Sequence, residues 1–381
     1  MSQNTEWGPY GVPPGWGGWG PPPAPKPGVI PLRPLTVGEL FGGAFSTIGR
    51  HWKQLLGMAA AVYGALALVV VAAVAVAYLA VEDEIRAVVD ANRDSPPDWD
   101  EGGPLLTAFI CFWLITMLAS VLATVVVQTS IPAVVQNAVL GRPTTFGAVW
   151  RRIAPRVPAA LGTVVLNGLI AVVPVGFATL GFISMFVALA AQNEVPAAGW
   201  LAALGLLGAA VTAPVAIWLW GRFSLASAAV VFESQGPIRA LRRSSDLVRG
   251  DWWRVLGVTI LATLVAATVG GIVQYFTQFL GMFPTLMMMP GSYGSEPELA
   301  EIFTGLGTAI VISMIGGLIS QIITTTFPCL VTSLLYVDQR LRKENLGPVL
   351  AEAAGVTQPP TAPQQPPTGP HPGAPESPHA G

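Results

Sequence analysis

Residues 236–257, GPIRALRRSSDLVRGDWWRVLG, decide the fold. Wound into a helix, Ala240, Ser244, Leu247 and Val248 share one face while Arg239, Arg242, Arg243 and Arg249 crowd the other. That pattern predicts a helix lying in a bilayer interface, its apolar groups toward hydrocarbon and its guanidinium groups at headgroup phosphates. Gly250 suits the end of this helix and Asp251 the cap of the next. Trp252 and Trp253 stand where aromatic belts stand, just ahead of an uncharged run that begins near Val255. The stretch therefore reads as an elbow that feeds a membrane span. Whether its arginines recognise headgroups or a partner, or only set topology, is left open at this stage. Both readings place it on the cytoplasmic face.

Two weaker copies of the elbow lie upstream: residues 37–57, VGELFGGAFSTIGRHWKQLLG, and residues 146–162, FGAVWRRIAPRVPAALG. In the first, Thr36 and Glu39 have the spacing of a capping box, and Leu35 and Leu40 that of a hydrophobic staple, so a helix begins there. The second is broken by Pro155 and Pro158. All three copies end in Leu-Gly, at Gly57, Gly162 and Gly257, about 100 positions apart, which predicts three repeats of one unit. Each unit would hold an elbow helix, a span out, an external loop and a span back.

Composition agrees with a protein dissolved in lipid. Of 381 residues, 52% are hydrophobic and only 10% charged; the mean hydropathy is +0.59. Those values exclude an ordinary water-soluble globule. The fold class expected is all-α, a polytopic membrane protein with six transmembrane helices arranged as three hairpins with cytoplasmic interfacial elbows. The spans fall at about 55–80, 105–128, 161–190, 200–220, 255–279 and 308–336, each longer than or near the roughly 20 residues that cross a bilayer. They belong to a membrane domain over residues 35–350. Pro132 kinks the second long run, whose continuation IPAVVQNAVL is expected along the inner interface.

The flanking tails, residues 1–34 and 351–381, are too rich in Pro and Gly, or in Pro, Gln and Thr, to pack, and are expected to be disordered. Trp7, Tyr10, Trp16 and Trp19 punctuate the first. It lacks the apolar run of a signal peptide, so targeting rests on the first span. The loop after that span is acidic, with Glu82, Asp83, Glu84, Asp90, Asp94 and Asp98 among its residues, and a short helix is expected over 82–93. Its carboxylates do not follow the spacing of a calcium loop. Of the 19 Lys and Arg, only Arg86 and Arg93 fall in segments read as external. Both termini are therefore expected in the cytoplasm, in the inner membrane of the cell.

Candidate chemistry is sparse. No Asp, Glu, Lys, Arg or His falls within the six expected spans. An ionisable residue at mid-bilayer is costly and is retained for use, so a proton-driven transporter would be expected to show one. The polar residues within the spans include Asn167, Gln274, Gln278, Gln321, Thr324, Thr325 and Thr326. Interhelical hydrogen bonds account for them, and a path for an uncharged solute or lipid lined by Asn167, Gln274, Gln278 and Gln321 is the alternative. Gly270-Gly271 and Gly316-Gly317 fit close approach of the last two spans. Cys111 and Cys329 lie in apolar runs, which argues against a disulfide framework or a metal site. No phosphate loop, nucleophile elbow or zinc-protease motif is present, and no cofactor is implied. Without a base or an acid pair in the spans, an enzyme is not expected.

PIRALRRSSDLVRGDWWRVLG resembles the elbow of the membrane domain carried by some bacterial glycerophosphoryl diester phosphodiesterases and by stand-alone relatives. LRPLTVGELFGGAFSTIGRHWKQLLG and SLLYVDQRLRKENL are similar to the start and end of that group, so the resemblance spans residues 32–350. It implies six helices with interfacial elbows. The enzymatic part of such proteins is a separate soluble barrel, and its activity does not carry over to these residues. Three functions follow as expectations. The first is non-enzymatic binding of anionic lipid headgroups or a cytoplasmic protein partner through Arg239, Arg242, Arg243, Arg249 and Arg254. The second is a lipid or small-molecule transporter or flippase, and the third a membrane anchor for a separately encoded enzyme. Nothing points to nucleic acid.

Overall fold

The computed structural model describes residues 29–31, 33–82, 99–140, 145–190, 196–287, 299–344 and 352. Among these residues the chain is helical, without strands. Helix α1 (Val37–Ala80) precedes α2 (Trp99–Val139) and α3 (Phe146–Ile153). A 3-10 turn (Ala154–Arg156) leads into α4 (Val157–Ala190) and α5 (Pro196–Phe223). The short α6 (Ala226–Glu233) and α7 (Pro237–Val248) come before the long α8 (Trp252–Met287) and α9 (Leu299–Glu344). Six helical stretches are long and apolar enough to cross a bilayer, and the chain is a multi-pass membrane protein. The six expected spans fall inside α1, α2, α4, α5, α8 and α9. The tail expected to be disordered over 1–34 is packed at its end: Val29 and Ile30, apolar among prolines, are buried in the core, and the Val29 N–H donates to the Ala138 carbonyl at 3.3 Å. The tails outside residues 29–31, 33–34 and 352, and the helix expected over 82–93 past Glu82, lie outside the described residues.

The start of α1 forms as its residues dictate. The Thr36 hydroxyl accepts the Glu39 N–H at 3.3 Å, and the Glu39 carboxylate accepts the Thr36 N–H at 2.8 Å. Leu35 and Leu40 are both buried beside this cap. Elbow and span then run as one helix, interrupted at His51, where the backbone leaves helical geometry (φ −123°, ψ 24°). Gly250 adopts a φ of +96°, a left-handed conformation that ends α7 and that a side chain would strain.

Antiparallel neighbours α1 and α2, α4 and α5, and α8 and α9 pack as three hairpins. Glycines set two of these contacts. A methyl group on Gly181 would fall 2.8 Å from the Leu206 nitrogen across the α4–α5 pair. One on Gly270 would fall 2.7 Å from Thr324 Cγ2 across α8–α9, and Gly316 is closed off by Thr277. Helices α1 and α2 also pack on α9, joining the first and third hairpins into one bundle. Hairpin α4–α5 joins it only at the elbow end: past Val164 no residue of α4, and no residue of α5, belongs to the common core.

That core gathers around the elbows, and here two expectations are corrected. The apolar face of α7 does not lie in lipid. Ala240, Ser244, Leu247 and Val248 are buried, and α7 packs on α4, α5, α6 and α9. The reason is visible in Ser244, whose hydroxyl donates to the Arg222 carbonyl at 2.9 Å and accepts the Leu225 N–H at 3.2 Å. It satisfies backbone groups freed where α5 stops and α6 starts. The run after Pro132 is likewise not interfacial, since Ile131, Ala133, Val134, Val135 and Ala138 are buried in the core. The core also holds α6, within residues 223–235, FSLASAAVVFESQ, whose Ala226, Ala229, Val230 and Val231 are buried. Small side chains let this helix sit among its neighbours at close range.

Candidate functional site

Two polar regions lie next to one another, one charged and one not. The charged region ties the elbows together. Asp338 near the end of α9 is fully buried. Its carboxylate accepts the Leu35 N–H at 2.7 Å and pairs with Arg254 at 2.6 Å and with Arg342 at 3.1 Å. Both arginines also donate to the Leu35 carbonyl at 2.8 Å. The neighbouring Gln339, also buried, donates to the Leu247 carbonyl at 3.2 Å and to Asp251 at 3.3 Å in the amide orientation that its neighbours dictate. Every polar group at this buried crossing of α1, α8 and α9 thus has a partner, the condition under which buried charge is tolerated.

A second set joins α6, α7 and α9. Arg243 bonds Glu233 at 2.9 Å and also pairs with Glu344, which Arg340 bonds at 2.7 Å. The Tyr336 hydroxyl donates to Glu233. Burial disfavours the Arg243 charge, but the two carboxylates outweigh it and hold its pKa above the ordinary arginine value. Burial likewise disfavours the Glu344 carboxylate, and Arg340 and Arg243 outweigh that, lowering its pKa. Other cations close helix ends. Arg156 donates to the Val231 carbonyl at 3.0 Å and to Ser234 at 2.7 Å, while Lys343 donates to the carbonyls of Asp246 and Arg249. Cations at helix C-termini satisfy free carbonyls and favour the helix dipole.

The uncharged region is a half-open chamber of about 260 Å³ between α2, α4, α8 and α9, lined at the elbow side by Phe223, Ser224 and Ser227. Four spans supply it in one manner, with polar groups one helical turn apart. These are Thr124 and Gln128 on α2, Thr163 and Asn167 on α4, Thr259 and Thr263 on α8, and Thr324 through Thr332 on α9. Residues four apart share a helix face, so each pair points the same way.

Most of these hydroxyls do not bridge helices; of the threonines expected to do so, Thr325 accepts from Tyr63 of α1, whereas Thr324 turns back on its own helix. Thr163, Thr259, Thr263, Thr324 and Thr332 donate back to carbonyls of their own helices at 2.7–2.9 Å. Their protons are spent on the backbone, and their oxygens remain as acceptors. The Asn167 carbonyl oxygen is buried without a partner. Pro328 has no N–H for the Thr324 carbonyl one turn before it. Prolines act differently at the chamber's edge, where Pro132 leaves the Gln128 carbonyl free and the Cys329 thiol donates to it at 3.5 Å.

The expected site residues divide accordingly. Among the five arginines, Arg243 and Arg254 are engaged inside the protein, whereas Arg239, Arg242 and Arg249 are exposed, with no acidic partner among the described residues. Of the expected polar path, only Asn167 faces the chamber. Gln321 lines an adjoining groove and donates to Thr325 at 3.3 Å. Gln274 sits near Gly317 at the α8–α9 contact, and Gln278 is exposed further along α8, so these four residues do not form one path. Thr324 and Thr325 were read only as polar residues of a span, and the chamber's other polar groups, with Asp338 and Gln339, were missed. The signal for the chamber was the recurrence of polar residues at four-residue spacing near the elbow end of four separate spans.

An all-helical membrane bundle fastened at its elbows and hollowed by an uncharged polar chamber is the class of protein these observations define. Within that class the chain belongs to the family described as Domain of unknown function (DUF7847), whose model matches residues 35–336. No curated protein and no solved structure matches it.

Proposed function

We propose that this chain is a non-enzymatic protein of the cytoplasmic membrane, both termini inside, that admits an uncharged polar ligand, lipid or small solute, into the chamber between its hairpins. The observation that carries the reading is the chamber itself, polar on four spans yet free of Asp, Glu, Lys, Arg and His. Unpaired charge would be costly there, whereas hydroxyls and amides receive a neutral ligand readily. The lining has Ser, Thr and Cys side chains but no carboxylate or imidazole to activate them, which favours binding over catalysis.

A cysteine introduced by Thr263→Cys reports on the chamber once Cys111 and Cys329 are replaced by Ala. In native membranes a small methanethiosulfonate reagent is expected to modify it, and Ser227→Trp, which narrows the chamber, to slow that reaction by roughly tenfold or more. A cysteine at this position that stays unmodified until the protein is unfolded would overturn the reading.

A second reading, binding of anionic headgroups at the elbows, rests on the exposure of Arg239, Arg242 and Arg249. Native mass spectrometry decides it. A retained anionic lipid should disappear when all three are changed to Gln, and an unchanged lipid complement reduces them to markers of topology.

A further inference from the structure

The chamber does not end in protein. Thr124 lines it and also lines a groove of about 470 Å³ between α1, α2 and α9, whose walls include Leu66, Ala67, Val70 and Leu318. Asn167 and Trp220 line it and also line a second groove, of about 200 Å³, between α4 and α5, walled by Ile170, Val175, Ala213 and Ile217. The first groove meets the chamber where the Tyr63 hydroxyl donates to Thr325 at 2.9 Å. A polar chamber therefore opens, through shared residues, onto two largely apolar grooves on different sides of the bundle.

This arrangement matches an amphiphile with one polar head and two chains. We infer that the chamber and its two grooves form a single site for an uncharged two-chain lipid whose headgroup bears hydroxyls. The inference rests on the proposed binding role of the chamber and names its ligand class. The headgroup must supply hydrogen-bond donors, because the wall is rich in acceptors whose own protons are committed. Those acceptors are the oxygens of Thr163, Thr259, Thr263 and Thr332, with the unpaired carbonyl of Asn167. It must also be neutral. The nearest cation in sequence to the chamber floor, Arg222, has its guanidinium over the Trp218 ring at 5.1 Å and is not among the lining residues. A phosphate in the chamber would lie in a low-dielectric site without a counter-charge. A volume of about 260 Å³ leaves room for a small polyol-sized head, since one water occupies roughly 30 Å³ of liquid.

The test uses full-length protein in nanodiscs with two photoactivatable probes. One is a diacylglycerol carrying a diazirine in one acyl chain, and the other is phosphatidic acid with the same chains. Diacylglycerol is expected to label both grooves and to be displaced by unlabelled diacylglycerol, with phosphatidic acid labelling them weakly. Asn167→Leu should reduce the specific labelling roughly tenfold, the effect of losing about 1.4 kcal/mol of hydrogen bonding. Should that variant fail to fold, Ala216→Trp, which fills the α4–α5 groove, must abolish labelling there. Equal labelling by phosphatidic acid, insensitive to either substitution, overturns the neutral-lipid inference. So does an absence of labelling by both probes while the cysteine introduced by Thr263→Cys remains accessible to thiol reagent, an outcome that leaves the chamber to a small solute. Absence of labelling together with an inert cysteine at that position removes the chamber reading as well.

Discussion

The two ends of the bundle are built on opposite principles. At the elbow end, Leu225, Val231, Leu334, Asp338 and Gln339 are completely or almost completely buried, and ion pairs and helix caps tie α1, α6, α7, α8 and α9 together. Toward the hairpin tips, Leu68, Leu79, Phe109, Phe186 and Trp200 are exposed, and a cleft of about 670 Å³ separates α1 from α2. The difference teaches where specificity resides. Lipid tails are as apolar as leucine, so the tips gain little by closing on one another, whereas the elbows meet water and headgroups and have both a hydrophobic and an electrostatic reason to pack. The chamber lies where these regimes meet, near enough to the elbows to be polar and near enough to the splayed spans to open on lipid.

The sharpest way to break the elbow end is to remove its central charge. Asp338→Leu leaves the Leu35 N–H without its acceptor and two guanidinium groups facing an apolar side chain. It should destabilise the protein by about 3–5 kcal/mol, read as a lowered unfolding midpoint in detergent. Asp338→Asn, which keeps the shape and one acceptor, is expected to fall between the variant and the wild type. If Asp338→Leu unfolds with the wild type, the crossing of α1, α8 and α9 is held by packing alone and the electrostatic half of the comparison fails.

Much of the architecture was legible before the structure. Charge-free runs located the spans, Thr36 and Glu39 marked the start of α1, and Gly270 and Gly316 marked close helix contacts. What was not legible depended on azimuth and on partners. An arginine has the same signature whether it faces a headgroup or closes a helix end, so Arg243 and Arg254 could not be separated from Arg239. Gln274 and Gln278 are as polar as Asn167, and only helix rotation sets them apart from the chamber. The burial of α6 was hidden because a run of alanine and valine suits lipid and protein equally. Asp338 was hidden because a carboxylate in a charged helix end, YVDQRLRKE, is usually solvated. In each case the missing information was which surface a side chain meets, and composition carries no direction.

The smallest effect is the most informative about the tips. Leu189 in α4 is 64% exposed and Leu334 in α9 is fully buried, so one substitution, Leu→Ala, can be made at both ends. At Leu334 it removes methyl groups from a packed core that relaxes only partly, and the expected cost is about 2–5 kcal/mol. At Leu189 acyl chains flow into the vacated space, no cavity remains, and the midpoint should change by less than about 0.5 kcal/mol. The comparison is read by measuring unfolding of both variants in the same detergent or lipid. Equal costs would mean that Leu189 is covered by protein in the membrane. Hairpin α4–α5, bare beyond Val164, would then be a surface awaiting a partner, and the contrast between the two ends would belong to the isolated chain alone.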